Sequence, residues 1–507
     1  MFKNKIIFGL AILNAVIHLI FIWSMDFHRD ELLYFSFGSH LSFGYASNPP
    51  LIGFLAFVLQ NIFGFNLFAA KILPAVLSAL MIFLIAGIVK EFGGKMYAQI
   101  LASVGLIVSP FSLRTFFLFQ PVFLDIFFWT LLFLFIIKYI NSKNERYLIF
   151  IGIVAGFGML NKYLIALPLI ILLTVLAFTT YKQIFKQRTF YIALILAFII
   201  FLPNLIWQFY YDFPVFAHLR ELHDKQLVHV SRIGFCIDQL LMTFAVSVLL
   251  IAGLLYLLTS KQIKKFRLIG ISIALVFVML FLLKAKSYYT LGVFPVLIAA
   301  GAVWFEQSIK FYWLKPSVIV LLILMTIPIV PFSLPVFNVD GLVKYFRNVE
   351  RRTGIVADRR FEDGVVHSLP QDYADMIGWE KLAVLTNIAV LKMDNKNDYI
   401  IYCENYGQAG AVNICGKKIG LPEPVCFSDA FRYWAPGDFK NEIKEFVYIN
   451  DNLGKDVEQL FGQIEKIGSI DNIHAREFGT TVYLCKKPLT SFNQFWKVRV
   501  KDVVVKK

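Results

Sequence analysis

The sequence predicts a mainly α, polytopic membrane protein that ends in a small α/β domain. Three observations carry this. Hydrophobic residues fill 58% of the 507 positions and mean hydropathy is +0.68, outside the range of soluble chains. Long apolar segments recur through the first two thirds of the chain. Near residue 335 they stop, charges become frequent and the pattern turns mixed. The expected division is a transmembrane domain over 1–335 and an extracytoplasmic α/β domain over 336–507.

Apolar segments fall at 6–25, 66–90, 95–112, 121–140, 147–160, 163–180, 189–209, 236–259, 267–284, 288–306 and 313–331, about eleven transmembrane helices by length. The first follows Lys3 and Lys5 and runs into Trp23-Ser24-Met25-Asp26 with no small-residue cleavage site, so it reads as a retained helix. The apolar stretch 51–63 is too short to span and suits a helix in the interface. Lys138, Lys143, Arg146, Lys182, Lys186, Arg188, Lys261, Lys264, Lys265 and Arg267 fall on one side. The positive-inside rule makes that side cytoplasmic, together with the N-terminus. An odd span count puts the loop after the first helix, and everything beyond Pro331, outside.

The net charge of +15 is read as basic loops facing anionic lipid. No basic face with interleaved aromatics accompanies it, which argues against nucleic acid. The tail alternates: helix over 371–391, strand over 399–403, helix over 406–415, strand over 446–449, helix over 455–467 and strand over 480–485. No glycine-rich phosphate loop opens any of these helices. Cys403, Cys415, Cys426 and Cys485 lie in this part without CxxC spacing. A zinc site is not indicated, and both disulfides and free buried thiols fit.

Chemistry concentrates in polar breaks between apolar runs. Phe27-His28-Arg29-Asp30-Glu31-Leu32-Leu33-Tyr34 follows the first helix, then Gly44-Tyr45 and Asn48-Pro49-Pro50. A carboxylate at the water interface can take a proton from an attacking hydroxyl. The same acids also suit the first turn of a helix starting near Leu32. Asp125 lies in an otherwise apolar segment, where a carboxylate must pair or face a polar cavity; a structural ion pair with Arg29 or Arg114 is the plainer alternative. Asn161-Lys162-Tyr163 and Lys284-Ala285-Lys286-Ser287-Tyr288-Tyr289 interrupt later runs and offer ammonium and hydroxyl donors to a phosphate. Arg29, Arg114, Lys162, Arg220, Arg232, Lys284 and Lys286 are outer-side cations that an anionic head group would partner, or that snorkel to lipid. The loop 208–235 carries His218, His223 and Asp224. Their spacing gives no familiar metal-ligand pattern, and a closing loop is the better reading.

These stretches, in this order, resemble the family 39-type glycosyltransferases, relatives of protein O-mannosyltransferases and of the aminoarabinose transferase that modifies lipid A. The resemblance continues through Gln120-Pro121 with Asp125, Trp207-Gln208, Phe213-Pro214 with His218, and Lys286 to Tyr289. In the tail it includes Leu369 to Trp379 and Asn405 to Ala409. It implies a GT-C fold, a polyprenyl-phosphate (undecaprenyl-phosphate) sugar donor, inversion at the anomeric carbon, and an outer-face active site at the inner (plasma) membrane. Asp30 then matches the catalytic acid of the first loop, with Glu31 an orienting neighbour and Asp125 the second site acid. The candidate substrate-binding residues are Arg29, Tyr34, Tyr45, Asn48, Lys162, Tyr163, His218, Lys286, Tyr288 and Tyr289. Asn48 departs from the family, whose members often place His or Lys before the proline pair. The acceptor is a glycan, lipid or protein of the envelope. The sequence assigns no cofactor; a divalent metal is possible but not required, and would need Asp30, Glu31 and Asp125 to converge. A transporter or flippase of lipid-linked sugars is the main alternative, although no repeated halves support it; an assembly protein is the third reading.

Overall fold

The structure, a computed structural model, describes residues 5–225, 227–354, 356, 359–361 and 364–503. It forms two compact units. Unit 1 takes Met1–Phe21, Asn48–Leu51 and Lys71–Leu334; unit 2 takes Ile22–Ser47, Ile52–Ala70 and Pro335–Lys507.

Unit 1 is helical. Among the described residues of the chain, eight helices are long and apolar enough to cross a membrane. The number is nine if the bent pair Tyr163–Ala177 and Thr180–Lys186 makes one span. The chain is a multi-pass membrane protein. The expected eleven also counted 95–112 and 147–160, where the helices Met96–Val108 and Arg146–Asn161 have only 13 and 16 residues. A span needs about 20. The first stops early because Pro110 opens a separate helix, Pro110–Thr115. Outward rows such as Ile192, Ile195, Phe198 and Ile199 stay exposed on the Arg188–Tyr210 helix, as a lipid-facing surface requires.

Small residues let the helices of unit 1 approach closely. A β-carbon at Gly253 would collide with the Leu297 carbonyl, and one at Gly301 with the Leu249 carbonyl. These two contacts lock the helices Ser247–Thr259 and Phe294–Ser308 together. Gly301→Val is therefore expected to lose about 1–3 kcal/mol of stability, read as a lower thermal unfolding temperature of the purified protein; an unchanged temperature would remove this reading of the crossing.

Unit 2 is built on a five-stranded sheet: β1 Tyr399–Cys403, β2 Val425–Cys426, β3 Glu445–Asn450, β4 Phe461–Ser469 and β5 Thr481–Pro488. The order is β2-β1-β3-β5-β4. β2, β1 and β3 run parallel, and β5 is antiparallel to both β3 and β4. Strand alternation gives the sheet two apolar faces. Ile400, Tyr402, Phe446, Tyr448 and Phe461 pack with Phe492 and Trp496 of the helix Phe492–Val503. The residues between them, Ile401, Cys403, Val447 and Ile449, are buried as well. The helix Trp379–Leu391 packs on β4, β5 and the helix Tyr406–Ile414. All four tail cysteines are buried free thiols.

Two expected helices are corrected here. Val457, Leu460, Phe461, Ile464 and Ile467 keep helical spacing, yet the helix ends at Leu460 and β4 begins at Phe461. Pairing with β5 and stacking of Phe461 on Phe446 at 5.7 Å outweigh the local period. The stretch 371–391 is two helices, Gln371–Ala374 and Trp379–Leu391, parted at Gly378, whose φ of +99° favours glycine.

Candidate functional site

The two units each gather a set of polar residues. In unit 2 the set begins at the helix Arg29–Ser39. His28 is its N-cap: the Asp30 N–H donates to His28 Nδ1 at 3.1 Å, and the His28 N–H donates to Glu31 Oε2 at 2.9 Å. This reciprocal capping box spends the carboxylate of fully buried Glu31 on holding the turn, which fixes where Asp30 points. The strand of backbone before the helix is pinned as well. The Asp26 and Arg29 N–H groups donate to the carbonyls of Met376 and Asp375, at 3.2 and 3.0 Å, and the Gly378 N–H donates to Asp26 Oδ2 at 3.2 Å. The break in the 371–391 helix supplies those carbonyls.

Half-buried Asp30 accepts a hydrogen bond at Oδ1 from the Tyr406 hydroxyl, 3.1 Å away. Tyr406 opens the helix Tyr406–Ile414, directly beyond the C-terminal end of β1, the edge at which open α/β sheets bind ligands. The Arg29 guanidinium lies 4.4 Å above the Tyr406 ring and 3.9 Å from Glu477 Oε1. Glu477 is itself held by Asn405, Gln408 and Thr480. Burial, reinforced by Asp30 and partly offset by Arg29, pushes the Tyr406 hydroxyl well above its ordinary range, so it remains a neutral donor. Burial also pushes Asp375 up, while His28, Arg476 and Arg29 pull it back. Burial alone would lower His28, but Asp372 beside it, at 3.6 Å from Nε2, with Asp30 and Asp375, raises it overall.

The signs give a pH prediction. His28 and Asp375 both hold protons more tightly in the folded state than in the unfolded one. Their contribution to stability is full below the unfolded values and is lost as pH rises through the folded ones. Protonating His28 at Nδ1 displaces one cap bond, worth about 1 kcal/mol, which works against the rise that Asp372, Asp30 and Asp375 produce. Thermal unfolding of the purified chain is expected at lower temperature as pH goes from 5 to 8. His28→Asn, which keeps a capping oxygen, should flatten that fall; an equal slope in the variant would sink the assignment.

Tyr34 and Tyr45 are also in unit 2, and both are packed. Tyr34 meets Phe37 edge-on at 5.7 Å; Tyr45 stacks on Phe37 at 3.9 Å and donates its hydroxyl to the Phe37 carbonyl at 3.0 Å. Tyr34 lies on the helix Arg29–Ser39, and Tyr45 packs against it from outside.

In unit 1 the set forms around Asp125, buried near the start of the helix Pro121–Ser142. Asn161 donates from Nδ2 to the Pro121 carbonyl at 3.0 Å, which ties the 161–163 break to that helix start. Lys162 then sits with Nζ 4.5 Å from the Tyr289 ring centre and 5.0 Å from that of Tyr288. Lys286 Nζ is 5.9 Å from the Tyr288 ring centre. Lys162 is within electrostatic reach of both Asp125 and Lys286, and Tyr289 of Asp125. The turn that carries these tyrosines is anchored from the helix Arg232–Thr243, where Asp238 accepts from Ser287 at 2.6 Å and Gln239 from Thr290 at 2.6 Å. Tyr163 is engaged elsewhere: it donates to Asn204 at 2.7 Å and accepts from Gln208 at 2.9 Å. Asn48 and His218 are half-buried in unit 1, on the 48–51 stretch and on the helix Pro214–Lys225. His223 pairs with its neighbour Asp224 at 3.0 Å. Among the described residues no three His, Cys, Asp or Glu side chains are grouped to hold a metal ion.

Sequence reasoning missed Tyr406, Asp375 and Glu477. Their one signal was position, within or near the tail stretches that contribute to the family resemblance.

A family model described as dolichyl-phosphate-mannose-protein mannosyltransferase matches residues 47–207, less than half of the chain. No curated protein matches it. Two solved structures of ArnT from Cupriavidus metallidurans are similar in fold. The one bound to undecaprenyl phosphate has a TM-score of 0.63 at 11% identity, covering 95% of this chain and 98% of that one. The apo structure has a TM-score of 0.58 at 11% identity, covering 94% and 97%. At that identity the likeness is one of fold. This chain shares, over nearly its whole length, the fold of the ArnT structures.

Proposed function

We propose that this protein is an inverting glycosyltransferase that moves a sugar from a polyprenyl-phosphate donor to an acceptor of the cell envelope, at the outer face of the plasma membrane. The observation that carries the reading is the grouping of Asp125, Lys162, Lys286, Tyr288 and Tyr289 in a chain with this fold. Two ammonium groups beside two phenols, with one buried acid to balance them, form a receptor for a single phosphate. The sharing of fold with ArnT bound to undecaprenyl phosphate supports a lipid-linked phosphate as that ligand. The basic-loop asymmetry supports the N-terminus inside and the C-terminal part outside.

In this reading Asp30 takes the proton of the acceptor hydroxyl while its oxygen attacks the anomeric carbon. The bond from that carbon to the phosphate oxygen breaks, and the polyprenyl phosphate leaves with one more negative charge. Lys162 and Lys286, assisted by the hydroxyls of Tyr288 and Tyr289, stabilise that charge as it develops. Asp125 keeps the lysines in place. Tyr406 aims the Asp30 carboxylate, and Arg29 offsets its charge.

The test is the purified chain in liposomes with a radiolabelled undecaprenyl-phosphate sugar and envelope extract. Label covalently joined to a component of the extract supports the enzyme. Label carried across the bilayer with its lipid intact would replace this reading with that of a flippase.

A further inference from the structure

Unit 2 contains a cleft that the proposed reaction does not use. The helices Arg29–Ser39 and Tyr406–Ile414 run side by side in the same direction. Gly407 lies against Arg29 and Gly410 against Leu32, where a β-carbon would sit 2.8 and 2.7 Å from the neighbouring side chain. Their N-terminal ends present Asp30 and Tyr406. Their C-terminal ends present His40 and Asn413, about 10–15 Å further on at 1.5 Å per residue. There the chain leaves a cavity of about 250 Å³, walled by His40, Asn413, Glu423, Phe431, Trp434 and Phe439.

The walls specify what fits. The His40 ring stacks on Trp434 at 4.1 Å and 14°, and Phe431 meets Trp434 edge-on at 4.9 Å, so the indole is held in one orientation. His40 Nε2 is 3.0 Å from Glu423 Oε2, and the Glu423 side chain stays 52% exposed. The hydrogen bond with His40 holds the Glu423 carboxyl below the usual carboxylate range, so it is an acceptor in search of donors. Asn413 adds an amide, 3% exposed. No lysine or arginine lines the space, which disfavours phosphate or another anion. At about 250 Å³ the space is at the small end of ligand pockets, which favours a single small ring over a lipid chain or a folded peptide segment. Flat apolar walls with a few acceptors and one amide fit a ring that has C–H faces and an edge of hydroxyl donors.

We infer that this cleft is a monosaccharide-binding subsite, for a sugar of a glycan acceptor at a distance from the reacting hydroxyl. The inference deepens the glycosyltransferase reading and rests on it for the word acceptor; the binding of a sugar stands on the cleft alone.

The experiment is saturation-transfer NMR on the full chain in a zwitterionic detergent, since sugar-headed detergents would compete. The probes are glucose, N-acetylglucosamine and glucosamine. At least one should saturate in the millimolar range, and Trp434→Ala should weaken it about tenfold or more. Asp30→Asn, distant from the cleft, should bind the sugar as the native chain does. Should Trp434→Ala lower the unfolding temperature, Glu423→Gln decides, because its side chain is half exposed: weaker binding supports the subsite and unchanged binding overturns it. Saturation by none of the three, or equal affinity in a folded Trp434→Ala, also overturns it. A chain that binds sugar through Trp434 and Glu423 but transfers none keeps the subsite and loses the transferase reading.

Discussion

Asp30→Asn is expected to lower kcat by about 10²–10⁴-fold, the range for removal of a general base, with little change in donor affinity. The substitution is nearly isosteric and leaves the surroundings of the residue intact. The backbone N–H of residue 30 still donates to His28, Glu31 still closes the capping box, and the Tyr406 hydroxyl still finds an oxygen at its 3.1 Å position. What disappears is the ability to receive a proton. Donor binding measured with undecaprenyl phosphate should match the native chain, which separates lost chemistry from lost folding. Full transfer activity in the variant would remove Asp30 as the base. Glu31→Gln should behave differently. An amide oxygen can still accept the His28 N–H, so the expected loss is modest and comes from a less firmly held turn.

Lys162→Met is expected to cost about 10²–10³-fold in kcat, the range for one electrostatic stabiliser of a developing oxyanion. Methionine keeps much of the length and apolar stem of lysine, so the packing against Tyr288 and Tyr289 persists while the charge is lost. Lys162→Arg should not rescue. The guanidinium is broader and planar, and the space between the two rings and Asp125 is set for a compact ammonium. Lys286→Met should be milder, since the Lys286 ammonium is 5.9 Å from the Tyr288 ring centre, farther than Lys162 is from either ring. The double variant should fall short of the product of the two, because both lysines act on one phosphate. The check is kcat from a dose series of donor at saturating acceptor. A Lys162→Met enzyme within twofold of native would show that the cluster does not carry the leaving-group charge.

The two clusters differ in how far the sequence revealed them. Asp125, Lys162, Lys286, Tyr288 and Tyr289 announce themselves as polar breaks in apolar runs, where a charge needs a reason to be present. The second cluster had half of such a signal. His28-Arg29-Asp30-Glu31 stands out after the first helix, but Tyr406, Asp375 and Glu477 sit in a polar tail where acids and tyrosines are ordinary. Nothing in the hydrophobic pattern tells that 22–47 and 52–70 pack with residues beyond 335, because pairing across such a separation leaves no local period. The tail strands β1, β3 and β5 were readable from alternation. β4 was not, since its apolar residues continue the spacing of the preceding helix and only its partner strand decides. The helix in the expected 95–112 span is shorter for a related reason: apolar composition continues through Ser109-Pro110, whereas the helix does not.

The Asp30 turn is completed by backbone carbonyls and side chains from residues 372–378, 405–408 and 476–477. More than 300 residues of chain must therefore be synthesised between the first half of this arrangement and the second. At about 5–20 residues per second, that is roughly 15–70 s in which the membrane helices can already be in place while the acid has no tyrosine to aim it. A chain cut short before Asp372 would keep all of the described apolar spans and still lack the tail groups that hold Arg29 and Asp30. Under the proposed function, activity is then timed to the end of biosynthesis, and a nascent copy in the membrane is expected to be silent.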